Sequence, residues 1–396
     1  MSSYSRRSIQ KYKPFELVVD TNIVGDSGVG NFILRPNPSG SYRYYVEWGD
    51  GSVSASTTST NLTHSYSLPG IYNVNVYGRF DGIFNNNSNE ADKILDVLNW
   101  GNIKWRFFSD SFYGCANLTG LTATPPIFNV VNSSFSTVFN GASNFNQDIG
   151  SWDVGNVTSM IQMFVSATNF NQDIGSWDVS NVQSMSSMFF QATNFNNGGS
   201  PSISGWTTSA CTNMNVMFLA ASNFNQPIGS WDVSNVQLMG GMFQAATNFN
   251  QDIGSWDVSN VQTMGNMFFQ ATNFNQPIGS WDVSNVQFMT QMFFQATNFN
   301  QPIGSWDVGS VISIGGMFNS ATNFNQPIGS WDVGNVNNMF QMFNSATNFN
   351  QDIGSWDVGN VNNMFQMFNS ATNFNQDIGS WDVGNVNNMF QMFNSA

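Results

Sequence analysis

Charge is scarce in this sequence: Asp, Glu, Lys and Arg make up 9% of 396 residues, against roughly 25% in an ordinary soluble domain. Positive charge is absent altogether beyond one point. All ten basic residues (Arg6, Arg7, Lys11, Lys13, Arg35, Arg43, Arg79, Lys93, Lys104 and Arg106) precede Phe107. The first 143 residues also hold ten of the 24 acids, so the remaining fourteen, all Asp, account for the formal charge of −14. A chain whose larger part has no Lys or Arg cannot neutralise phosphates there, which argues against nucleic acid and against an anionic membrane surface as partners. Histidine occurs once, at His64, and cysteine twice, at Cys115 and Cys211. That leaves no ligand set for a zinc site and no His-based nucleophile. No apolar run approaches the length of a membrane-spanning helix. The opening MSSYSRRSIQKYKPFELVVD has charges but no apolar stretch after them, so no secretory signal is read there and no membrane insertion is expected.

What fills the gap is a repeat. Phe145, Phe170, Phe195, Phe224, Phe249, Phe274, Phe299, Phe324, Phe349 and Phe374 open ten copies of N-F-N-Q-[D/P]-I-G-S-W-D-V-[S/G]-N-V-x-x-M-x-x-M-F-x-x-A-T over residues 144–396. A fixed period of this length outranks other signals and implies stacked units. A single unit buries too little apolar surface to offset the entropy of ordering itself, so neighbours must share a core. In one copy Val182, Met185, Met188, Phe189 and Ala192 fall at helical spacing, which predicts a short helix or 3₁₀ turn in the second half of each unit. The first half, with its Gly-Ser bend, reads as a short parallel strand. The fifth position is Asp in some copies and Pro in Pro227, Pro277, Pro302 and Pro327, which places that column outside any hydrogen-bonded ladder.

Ahead of the repeats, residues 100–143 hold two degenerate units that read as an N-terminal cap. The repeat register puts Cys115 of these units in the Ala column and Cys211 of the variant copy in the Val column, so both are expected in the core and unpaired. Residues 14–99 contain short β-rich runs (FELVVD, NFILRP, YRYYVEW, IYNVNVYG) separated by turn residues, which predicts a small sandwich. Residues 1–13 read as a flexible basic arm. The expected fold class is multidomain: an N-terminal β-sandwich followed by a leucine-rich-repeat-like α/β solenoid of short strands and short helices.

Two resemblances follow from these motifs. The repeat closely resembles the "FNQDIxxWDVSNVxxMxxMF" units of BspA-like bacterial surface proteins, relatives of the leucine-rich repeats. The segment Trp100–Asn117 is similar to an entry unit of that family. The resemblance implies a cell-surface or virion-surface role in adhesion, with no catalytic residues to carry over. Trp48, Gly49, Asp50 and Gly51, followed by His64, Ser65, Tyr66, Pro69, Gly70, Tyr72, Val74 and Val76, resemble the PKD domain, an immunoglobulin-like module of extracellular proteins.

The candidate sites divide between structural and functional readings. His64 and Asp50 are read as structural, Asp50 as a turn-stabilising carboxylate. The Asp after the repeat Trp, from Asp153 to Asp382 in nine copies with Thr207 in its place in the variant one, either caps backbone N–H groups or lines up calcium ions between repeats. The simpler reading, with no cofactor and no metal, is the expectation. Phe190, Phe269, Phe288, Phe294, Phe340, Phe365 and Phe390 occupy columns that hold polar residues in other copies. They either form a contact surface or tuck over a neighbouring repeat. Met392 and Phe393 stand in a standard unit with nothing after Ala396, so they are expected either to dock a partner or to continue into further repeats. The expected function is non-enzymatic: a virion-surface fibre or decoration protein, with a bacterial cell-surface adhesin or extracellular filament subunit as the alternative. A polysaccharide-degrading spike would need carboxylate pairs in a cleft, whereas these Asp residues form a periodic column. The expected partners are other structural proteins or copies of the same chain, or a cell-surface protein or glycan.

Overall fold

The computed structural model describes residues 13–122, 124–128 and 134–396; most of the basic arm lies outside them. Two compact units divide the chain. One comprises residues up to 182 together with 191–198, and the other residues 183–190 with 199–396.

The first unit begins with strands β1 (Phe15–Asp20), β2 (Asn31–Leu34), β3 (Arg43–Glu47), β4 (Val53–Ser56), β5 (Leu62–Ser65), β6 (Ile71–Arg79) and β7 (Ile94–Trp100). Three short strands follow: β8 (Lys104–Trp105), β9 (Gly120–Leu121) and β10 (Ile127–Phe128). A six-stranded sheet runs β4-β3-β6-β1-β7-β9, and β2 pairs with β5 separately. The alternation in FELVVD puts Phe15, Leu17 and Val19 at 0% exposure, as a period of two requires. β9 runs parallel to β7, with Val97 opposite Leu121. The sheet therefore takes in residues from beyond position 100.

One interaction in this unit has no signature in the sequence. The Lys93 and Glu90 side chains are both 0% exposed and sit 3.1 Å apart. Lys93 Nζ donates to Ser27 Oγ and to the carbonyls of Gly28 and Asn31. Glu90 accepts from the Ser27 and Ile33 N–H groups. Every charge taken out of water here is paired and hydrogen-bonded, the condition under which a buried ion pair is tolerated.

The repeats correct the expected α/β solenoid. Among the described residues there is no α-helix, only three 3₁₀ segments, Asn89–Lys93, Asn197–Gly199 and Pro201–Gly205. The last two lie in the variant copy that carries the insertion. The supposed helix is a chain of four-residue turns whose backbone donors alternate between two kinds of partner. Met264, Asn266, Phe268 and Gln270 donate to Phe288, Thr290, Met292 and Phe294 of the next repeat, at 3.0, 3.0, 2.9 and 2.7 Å. Met267, Phe269 and Ala271, each one residue after Asn266, Phe268 and Gln270, donate three residues back to Met264, Asn266 and Phe268. Asn266 (φ 59°) and Gln270 (φ 56°) are left-handed, which ends each turn before a helix can propagate. The same two columns are left-handed in other copies, including the β-branched Val216 (φ 50°), where the conformation is costly and must be held by its surroundings. Four-residue turns bring back apolar residues at i, i+3 and i+4, so their spacing imitates a helix.

The parallel pairing also lies in the other half of the repeat from the one expected. Isolated parallel bridges run unbroken from Ser184 through Asn213, Leu238, Thr263, Phe288, Ser313, Asn338 and Asn363 to Asn388. The first half, expected as a strand, stacks through side chains instead. Trp281 Nε1 donates to the Ile253 carbonyl (3.1 Å), Ser280 Oγ to that of Gly254 (2.8 Å) and Asn285 Nδ2 to that of Ser259 (2.7 Å). Asn250 Oδ1 accepts from the Asn275 N–H at 2.9 Å. The core columns are buried, with Phe274, Ile278, Met289, Met292 and Phe293 at 0%. Cys115 and Cys211 are buried and free.

Candidate binding surface

No charged residue occurs in the second half of any repeat. The half that carries the bridges therefore presents only amides, hydroxyls and apolar side chains, and its exposed members are the candidates for contact. Phe288 stands in the bridge column and is 47% exposed; Leu238, in the same column, is 38% exposed. Spacing alone did not single out Leu238, although its column, shared with Phe288, Thr263 and Asn213, was the signal. Phe269 and Phe294 are half-buried and stack on one another at 4.4 Å. Phe365 and Phe390 stack at 6.1 Å, the second largely exposed. Phe340 tucks instead: its ring occupies the space that a Cβ on Gly315 of the preceding repeat would need. Phe190 is half-buried. Met392 is buried at 8% exposure, while Phe393 is exposed and stacks on Phe368 at 5.4 Å. The nine candidates therefore form separate pairs and single residues along the repeats.

Amide ladders run between the aromatics. Gln270 donates to Gln295 at 2.8 Å, and Gln341 to Gln366 and Gln366 to Gln391 at 2.7 Å. Each ladder fixes an amide that would otherwise move freely, giving a surface that is polar, uncharged and ordered.

The Asp columns serve turns within their own repeats. Asp252 Oδ1 accepts from the Gly254 N–H at 2.9 Å and Asp257 Oδ1 from the Ser259 N–H at 3.1 Å. These are Asx-type bonds to the residue two positions on, with no helix start to cap. In Asp178, Asp232 and Asp282 the hydroxyl of the following Ser, then its N–H, lowers the carboxyl pKa. Among the described residues no group of three or more His, Cys, Asp or Glu is placed to hold a metal ion.

His64, Ser52 and Asp50 do come together, but not as a relay. Ser52 Oγ (3.1 Å) and Asp50 Oδ2 (2.9 Å) both meet the same ring nitrogen, Nε2. A catalytic arrangement needs the nucleophile and the orienting acid on different nitrogens. The imidazole is also stacked on Trp48 at 4.9 Å and edged by Tyr66 at 4.5 Å, and Asp50 closes its own turn by accepting from the Ser52 N–H.

Partial burial raises the Asp50 pKa, but hydrogen bonds from Ser52 and His64 outweigh it and bring it down to about 2. The unfolded value is about 3.9. A depressed folded pKa gives stability that is full above the unfolded value and fades as pH falls through the folded one. The stability difference between wild type and D50N should therefore shrink as pH falls from about 4 towards 2. Urea titrations at pH 6 and pH 2.5 measure it, and a difference that stays constant contradicts the assignment.

The fold and its uncharged face define a β-rich repeat protein whose units pair through parallel backbone bridges. Within that class, the chain belongs to the family described as Mycoplasma protein of unknown function, DUF285, which matches residues 106–201, 199–306 and 288–396. Neither the curated proteins nor the solved structures contain a match to it. Among the described residues no helix is long and apolar enough to cross a membrane.

Proposed function

We propose that the chain is a non-enzymatic interaction protein whose repeats attach it to a partner surface, as a fibre or decoration protein of a virion. The observation that carries this reading is the ordered, uncharged half of the repeats, with Leu238 and Phe288 exposed in one column and Phe269 stacked on Phe294. Exposed apolar side chains on a rigid polar face suit contact with a protein or glycan, and the same face suits other structural proteins or a second copy. The BspA-like kinship of the repeats and the PKD-like character of the N-terminal domain belong to this proposal. A second reading, a bacterial cell-surface adhesin, is favoured by the family's description, which names a bacterium. Immunogold electron microscopy separates the two, since label on particles supports the first and label on the cell envelope the second. Label confined to the cell interior would remove both. In the L238S/F288S variant, surface attachment should fall several-fold while the repeats stay folded.

A further inference from the structure

The cations of this chain are distributed unevenly over its folded surface, and one group lacks matching carboxylates. Arg35 has Asp26 at 2.6 Å, and Lys93 has Glu90. By contrast, Arg79 and Arg106 share a single acid. Arg79 Nε lies 3.3 Å from Asp81 Oδ1, and Arg106 Nη1 lies 3.7 Å from Asp81 Oδ2. Asp81 is 6% exposed and also accepts the Ser41 N–H at 2.9 Å, so its capacity is largely used. It fixes the two guanidinium groups more than it neutralises them. Each guanidinium has five donors, and the Arg79 and Arg106 side chains remain 56% and 37% exposed. Lys104 is exposed and has no ion-pair partner among the described residues.

These side chains line one cleft. Arg79, Asp81, Asn102, Lys104 and Arg106 border a cavity of about 430 Å³, within the range of small-ligand sites. A second observation points the same way. Arg43 on β3 lies directly opposite Arg79 on β6 in the antiparallel register. Like charges directly opposite one another destabilise a sheet, and Arg43 has no acid of its own among the described residues. At the cleft itself three cations and one carboxylate leave two uncompensated positive charges, in a chain whose formal charge is −14. That net charge does not cancel them, because at physiological salt exposed charges are screened beyond roughly 8 Å.

We infer that this cleft binds an oxyanion group (carboxylate, phosphate or sulfate) carried by a small molecule or by the end of a sugar chain. Arg79 and Arg106 present planar donor pairs suited to such a group, Lys104 adds a mobile point charge, and Asn102 lines the same cavity. Binding would offset the like charges of Arg79, Lys104 and Arg106 that line the cleft.

Isothermal titration of the full chain with sodium phosphate, sodium sulfate and a sulfated disaccharide tests it, with potassium chloride at matched ionic strength as the control. Saturable one-site binding is expected, weakened about tenfold by K104Q and about tenfold by R106Q, and unchanged in R35Q. Tighter binding of the disaccharide would assign a sugar-borne anion, and equal binding a free one. Thermal melts of each variant check that it remains folded. Should heats match the chloride control, or should the K104Q/R106Q double variant bind like wild type, the inference is overturned.

Discussion

Replacing Lys93 with Met should destabilise the N-terminal sheet by about 3–5 kcal/mol, because Glu90 would be left buried and charged without a counterion. The side chains are both fully buried and the ammonium makes three further hydrogen bonds. Water cannot substitute for it unless the loop opens. That loop is closed tightly, since a Cβ added at Gly25 would stand 2.5 Å from Glu90 Oε2 and 2.7 Å from Lys93 Cε. The E90Q/K93M double variant removes the orphaned charge while keeping an amide oxygen for the Ile33 N–H, so it should recover part of the loss. Because repeats and sheet need not unfold together, hydrogen exchange in β1 and β6 is the appropriate measurement. A K93M protein whose β1 and β6 amides exchange as slowly as those of wild type would show that the pair contributes little.

The second large effect is expected from one methyl group in the repeats. A Cβ at Gly254 would lie 2.5 Å from the carbonyl oxygen of Pro277 in the following repeat. Gly254 does not have a left-handed φ, so the constraint is close approach and not backbone conformation. The obstacle is also backbone, which cannot turn aside as a flexible side chain would. The Trp281–Ile253 and Ser280–Gly254 bonds pass through this contact. G254A should therefore separate two repeats locally and cost about 1–3 kcal/mol, with faster exchange over residues 248–297. Gly205, in the variant copy, provides the control, because a Cβ there meets nothing within 4 Å. G205A should be close to neutral. Equal stability of G254A and G205A would mean that the repeats slide freely past this contact.

Much of the molecule is legible in the sequence because burial follows column identity. Phe274, Ile278, Trp281, Val286, Met289, Met292 and Phe293 recur every 25 residues, and such a column is apolar in nearly every copy only if it faces the shared core. The same register places Cys115 and Cys211 among the buried residues without any pairing argument. The candidate surface was only partly legible. A polar-tolerant column marks water contact on average, but Phe340 fills the space left by Gly315 in the preceding copy while Phe288 stands out into solvent. The difference depends on what the neighbouring repeat offers at that height.

The sequence by itself determined the period, the core columns and the absence of positive charge from the repeats, since each of these is a property of residue identity and spacing. Only the tertiary structure decided which half of the repeat pairs and how. Spacing at i, i+3 and i+4 is shared by a helix and by successive four-residue turns. The choice between them rests on where alternate N–H groups go, and here they go to the next copy, an acceptor that no single unit contains. It also decided that Lys93 is buried while Lys104, Arg106 and Arg79 gather at one cleft. A cation's environment is set by chain segments remote from it in sequence: for Lys93 by the 27–31 loop, and for the cleft by the ends of β6 and β8 meeting around Asp81.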